Sequence, residues 1–112
     1  SAGIGRSGFE LDASLREDGA KVECYIRLSG GKEQSEAAFR ALLARKDEIE
    51  ARFGEPLVWE DLPGRLGCRI SKELPGGWGV PESEWLSLQD RLIDNLARLE
   101  GALKKPSRVL KV

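Results

Sequence analysis

The sequence has no histidine and no methionine, only two cysteines, and few aromatics: three Trp, three Phe and one Tyr among 112 residues. Without histidine the chain lacks the commonest general base and the commonest metal ligand. Cys24 and Cys68 are too few for a disulfide scaffold or a four-cysteine zinc site. No apolar run approaches the roughly 18 residues of a bilayer-spanning helix, and no signal-peptide pattern is present. These absences point to a cytoplasmic protein without membrane contact. Neither sign of charge is in excess: 18 Lys and Arg stand against 19 Asp and Glu, a formal net charge of −1. A histone-like or strongly acidic mode of partner binding is thereby excluded for the molecule as a whole.

What is present suits one domain. The chain is 40% hydrophobic and 33% charged, long enough to bury about 65% of its unfolded surface. Phe9 to Leu15 and Lys21 to Leu28 alternate apolar with polar residues, the period of half-buried strands. Asp18-Gly19 between them is a hairpin signal. A turn there sets Leu15 against Val22, Leu11 against Ile26 and Phe9 against Leu28, and on the other face Asp12 against Tyr25 and Glu10 against Arg27. From about Glu33 the period becomes 3.6: Phe39, Leu42, Leu43, Ile49 and Phe53 share a helix face that stops at Gly54. A second hairpin over residues 57–71 turns at Pro63-Gly64, opposing Leu57 to Ile70 and Trp59 to Cys68. Leu74 to Pro81 reads as loop. Trp85, Leu88, Leu92, Leu96, Leu99 and Leu103, widened by Leu86 and Ile93, form the apolar stripe of a helix ending near Lys105-Pro106.

The expected fold class is α+β: a two-layer ββαββα sandwich, a four-stranded antiparallel sheet with two helices on one face. A right-handed crossover predicts the sheet order second, first, third, fourth strand. Residues 1–8 read as a flexible lead-in, 9–105 as the domain and 106–112 as a basic tail.

The motifs carry little chemistry. Gly3-Ile4-Gly5-Arg6-Ser7-Gly8 spells G-x-G-x-x-G, but a strand follows the glycines where the dinucleotide fingerprint needs a helix N-terminus. Both cysteines fall on inward positions without an activating base. Metal-nuclease chemistry wants Glu-x-Lys on the strand after an Asp; Lys21-Val22-Glu23 reads in the reverse order, and no Glu-x-Lys occurs. No catalytic residue, metal or cofactor is therefore expected. The outer sheet face, with Tyr25, Arg27, Arg65 and Arg69, and the loop residue Trp78 are the candidate contacts. They suit either a protein partner or single-stranded nucleic acid, although nucleic acid normally asks for more aromatics and clearer positive charge.

Ile4 to Leu11, Lys46-Asp47-Glu48-Ile49-Glu50, Gly54 to Glu60 and Arg69-Ile70 resemble the bacterial domain-of-unknown-function family 4268 over most of residues 4 to 103. The resemblance implies a C-terminal module of larger proteins, some with an upstream segment similar to restriction-type nuclease domains. Any catalysis would then reside upstream. It brings no functional residues with it. The stretch that would precede Gly5-Arg6-Ser7-Gly8-Phe9 is missing apart from Ser1-Ala2, which puts one sheet edge in question. The expectation is thus a non-enzymatic accessory domain engaged in protein contact or self-association as a homodimer. It would place a nuclease-like partner domain on its substrate. Nucleic-acid binding is the alternative.

Overall fold

The computed structural model describes residues 2–112. Ala2–Gly3 (β1) pairs with Phe9–Leu15 (β2), which forms a hairpin with Gly19–Ile26 (β3). Lys32–Leu43 (α1) and Lys46–Phe53 (α2) follow, then Val58–Glu60 (β4) and Cys68–Pro75 (β5). A 3-10 turn at Glu82–Glu84 leads into Trp85–Arg108 (α3). The architecture is α+β, with five antiparallel strands and three α-helices among the described residues where the sequence suggests four and two.

The core confirms the alternation. Phe9, Leu11, Val22, Cys24, Ile26, Cys68 and Ile70 point from one sheet face into a single cluster with Phe39, Leu42, Ile49, Phe53, Leu88, Leu99 and Leu103. The molecule's shortest dimension is 21 Å, about what one helix layer on one sheet requires.

Several expectations need correction. The strand order is β1-β2-β3-β5-β4, so the Phe9 strand does not lie between the two hairpins. The crossover from β3 to β4 does skip one strand, as two parallel strands of an antiparallel sheet must, but β5 and not the Phe9 strand fills the gap. β3 and β5 are both eight residues long and pair from Gly19↔Pro75 to Ile26↔Cys68, which joins the two longest apolar ladders at the centre. β5 therefore runs on through Leu74 and Pro75, residues that read as loop.

Both hairpins are shifted by two residues, so every side chain keeps its face. Leu11 faces Cys24, Phe9 faces Ile26, Glu10 faces Tyr25 and Asp12 faces Glu23. The turn is Glu17-Asp18, closed by the Arg16 N–H to the Gly19 carbonyl at 2.8 Å. Trp59 faces Ile70, and the β4–β5 loop is longer than a tight turn, with Leu62 at φ 56°.

The expected long helix breaks at Ala44-Arg45. Arg45 takes φ −108°, ψ 22°, and its N–H bonds to Leu42 O at 2.8 Å. The break re-aims Ile49 and Phe53 into the core beside α3.

The two ends of the domain also differ from the reading. Ile4 is buried, and α3 continues through Pro106 to Arg108 with Pro106 and Ser107 buried. Arg6 links the ends: its guanidinium donates to the carbonyls of Ser107 (2.8 Å), Leu110 (2.7 Å) and Val112 (3.1 Å). Pro106 has no N–H to give the Ala102 carbonyl, yet the helix runs on through it, with the proline ring buried in the core.

Candidate functional site

The outer sheet face was the first candidate surface, and its charges are largely paired among themselves. Register sets Asp12 opposite Glu23, two like charges that need compensation. Lys21 Nζ stands 3.6 Å and Arg69 4.0 Å from the Glu23 carboxylate. Arg69 also holds Glu60 through two hydrogen bonds of 3.2 Å. Glu60 raises the Arg69 pKa further above its ordinary value. A guanidinium fixed on a carboxylate in this fork has little left for a phosphate. Tyr25 is half-buried with its ring against Gly67, where a Cβ would come within 2.5 Å of it. Arg27 is exposed; with Gly8, Glu10 and Tyr25 it lines a shallow hollow of about 230 Å³.

The five candidate residues do not converge. Tyr25, Arg27 and Arg69 share the outer face near one end of β3. Arg65 is exposed in the β4–β5 loop. Trp78 sits beyond the other end, roughly 20 Å along the strands. There its N–H donates to the Arg16 carbonyl at the β2–β3 turn (2.8 Å).

The glycine motif is a turn. Gly5 and Gly8 adopt φ 93° and 90° between β1 and β2, and a Cβ on Gly8 would meet Leu28 Cδ2 at 2.4 Å. The glycines admit left-handed backbone and close approach, and a strand follows them, not an anion-binding helix end.

Both cysteines are free and buried on neighbouring strands. Cys24 faces Ile70 and Cys68 faces Ile26, a diagonal relation that leaves their Cα atoms roughly 7–8 Å apart, too far for a disulfide. Burial pushes the Cys24 thiol up to about 12 and that of Cys68 up to about 11. Lys32 stands 3.8 Å from Cys68 Sγ, but it donates to the carbonyls of Asp61 (2.6 Å), Leu62 (3.1 Å) and Gly67 (2.8 Å). Its function there is to fasten the β4–β5 loop. Among the described residues there is no cluster of three or more Cys, Asp or Glu side chains suited to a metal.

A different surface stands out. Leu15 (47% exposed), Trp78 (61%), Trp85 (48%), Leu86 (75%) and Ile93 (66%) are large apolar side chains left in solvent. Leu15, Trp78, Trp85, Leu88, Gln89 and Leu92 surround a small apolar hollow of about 150 Å³. Beside it runs a groove of about 490 Å³ between the β2 edge and α3, lined by Ala2, Leu11, Asp12, Ala13, Leu96, Ala97 and Glu100. β1 covers β2 only opposite Glu10 and Leu11, so no described strand pairs with the outer edge of Ala13, Ser14 and Leu15.

Sequence reading assigned Trp85, Leu86 and Ile93 to the helix core stripe. Leu86 and Ile93 are seven residues apart and lie well off the line of Leu88, Leu92 and Leu99, a stripe wider than one packing face needs. That excess width was the available signal. Leu15 gave none, because the alternation places it on the inward side of β2.

Among the described residues no helix is long and apolar enough to cross a membrane. No curated protein and no solved structure matches the chain. The model of the family described as Domain of unknown function (DUF4268) matches residues 1–107. The resemblance in the glycine turn, α2 and the β4–β5 region thus extends over nearly the whole fold, and the chain belongs to this family.

Proposed function

We propose that the chain is a non-enzymatic interaction module, an accessory domain of a larger bacterial cytoplasmic protein, which works through protein contact or self-association at the β2–α3 surface. The observation that carries this reading is the group Leu15, Trp78, Trp85, Leu86 and Ile93, exposed near the groove between β2 and α3. Exposed apolar groups rimmed by polar residues mark protein contacts. Tryptophans in particular serve as interface anchors. In a larger protein such a module would position a neighbouring nuclease-like domain on its substrate.

A photo-crosslinking amino acid installed at Leu86 or Trp78 in cells tests the reading. Protein adducts are expected from these positions and not from Arg27 or Arg65. Adducts from Arg27 and Arg65 alone would overturn it. Nucleic-acid binding is measured separately by anisotropy with labelled single- and double-stranded oligonucleotides. Salt-sensitive binding lost on Arg27→Ala plus Arg69→Ala would replace the protein-contact reading.

A further inference from the structure

We infer that the last two turns of α3 and the segment after them form a docking surface for the phosphate backbone of a nucleic-acid duplex, through Lys104, Lys105, Arg108 and Lys111. The inference goes beyond the protein-contact reading and does not depend on it, since these residues lie at the opposite end of α3 from Trp85.

Charge in this chain is balanced in total but not in place. Residues 101–112 carry four cations and no Asp or Glu, in a chain whose formal net charge is −1. The exposed acids Glu82, Glu84, Asp90 and Asp94 lie at or near the start of α3. α3 is 24 residues long, about 36 Å, so its two charged ends stand several Debye lengths of about 8 Å apart. At the basic end Leu103, Pro106 and Ser107 turn inward, and Lys104, Lys105 and Arg108 stand together on the outward face. Gly101, one turn earlier, adds no side chain, and a Cβ there would meet nothing. A polymer can therefore lie close to the helix beside the three cations.

Nothing in the fold uses these cations. Lys21, Arg69, Lys72 and Arg98 stand on carboxylates, and Arg6 and Arg91 on carbonyls. None of Lys104, Lys105, Arg108 and Lys111 makes a side-chain hydrogen bond or ion pair with any described residue. Cations at a helix C-terminus suit the helix dipole, but that end is already served. Arg6 donates to the carbonyls of Ser107 and Leu110, and Ser107 Oγ to that of Lys104 at 3.0 Å. Arg6 also ties down the segment that bears Lys111, and Arg108 rests over the Gly5 turn, where a Cβ would stand 3.3 Å from its Nη2. Regularly spaced charges of one sign on a stiff polymer meet several fixed cations at once, which a single small anion cannot. Residues 101–112 hold no aromatic to stack on bases, which favours a duplex held by its phosphates over a single strand. Val109 is the one large apolar side chain exposed among residues 101–112, too little to insert into a lipid surface beside the charges. The acids at the far end of α3 repel the same polyanion, so it docks at one end only.

The test is fluorescence anisotropy of a labelled duplex titrated with the 112-residue chain over a range of salt. Binding is expected at low salt, equal for unrelated sequences. Log K should fall by about 3–4 per tenfold rise in salt, the slope for about four neutralised phosphates. Lys104→Gln plus Lys105→Gln, both at exposed positions, should weaken binding at least about tenfold and lower that slope by about two. Arg108→Gln plus Lys111→Gln should act alike, and serves if circular dichroism shows the first pair misfolded. Arg27→Ala plus Arg69→Ala, on the outer sheet face, should leave binding unchanged. A chain that binds no duplex at low salt overturns the inference. So does binding that both Gln pairs leave intact, or that Arg27→Ala plus Arg69→Ala abolishes. Tighter binding to phosphatidylserine vesicles than to the duplex would overturn it in favour of a lipid surface. Cross-links from Leu86 or Trp78 are read independently, so the protein-contact reading stands or falls by itself.

Discussion

Several cations in this protein are directed at backbone carbonyls, among them Lys32, Arg6 and Arg98. Lys32 gathers the Asp61, Leu62 and Gly67 oxygens, Arg6 those of Ser107, Leu110 and Val112, and Arg98 that of Phe53 at 2.6 and 3.0 Å. Arg98 also lies 4.4 Å above the Phe53 ring. Each adds a charged donor to helix-end or loop carbonyls, two of which, Ser107 and Leu62, also accept from a backbone N–H. Glu50 does the converse: its carboxylate accepts from the Leu57 N–H (2.8 Å) and the Trp59 indole (3.1 Å). Partial burial pushes the Glu50 carboxyl up, but these two donors and Lys46 outweigh it and hold it below its ordinary value. Glu50→Ala strands the buried Leu57 N–H, so denaturant titration should show a loss of about 1–3 kcal/mol. The thiols set the alkaline limit. Unfolded cysteines ionise near 9, whereas folded Cys68 and Cys24 resist to about 11 and about 12. Their contribution is complete below pH 9 and declines as pH rises toward those values. Ellman's reagent should find neither thiol at neutral pH without denaturant.

Elements differ in how their faces are used. α3 buries Leu88, Leu92, Leu99 and Leu103 on one side while Leu86 and Ile93 stand in solvent. Leu99→Ala should cost about 2–5 kcal/mol by leaving a cavity. Leu86→Lys should change the monomer's stability by about 0.5 kcal/mol or less. Chemical denaturation of both variants separates the core stripe from the contact stripe. The β2 and β3 strands and the stop at Gly54, which takes φ 100°, were legible because alternation and glycine act locally. The break at Arg45 was not: Phe39, Leu42, Ile49 and Phe53 continue a helical period across it. Only the position of α3 and the sheet decides that α2 must turn. The candidate contacts were legible in part. Trp78 was named and is exposed, but Arg69 meets Glu60 across β4 and β5, a pairing that two-residue shifts in register decide.

At the scale of the molecule, the response to pH is the collective property. Among carboxylates, Glu48 is lowered by Arg45, and Glu55 by Lys72 and Arg98. Groups lowered in the folded state stabilise it above their ordinary range and lose that effect as pH falls through their folded values. With no histidine to titrate, thermal melts should be flat across neutral pH, then decline below about pH 4 and above about pH 9.

The sequence by itself determined which strand residues face inward, because period 2 is written in neighbouring side chains. It also determined the α+β class and the parallel crossover that skips one strand. Only the tertiary structure decided that β5 fills the skipped position, that the helix breaks at Arg45, and that Leu86 and Ile93 of α3 stay exposed. These depend on which surfaces meet across the molecule, where long-range packing chooses among arrangements that local periodicity leaves equal.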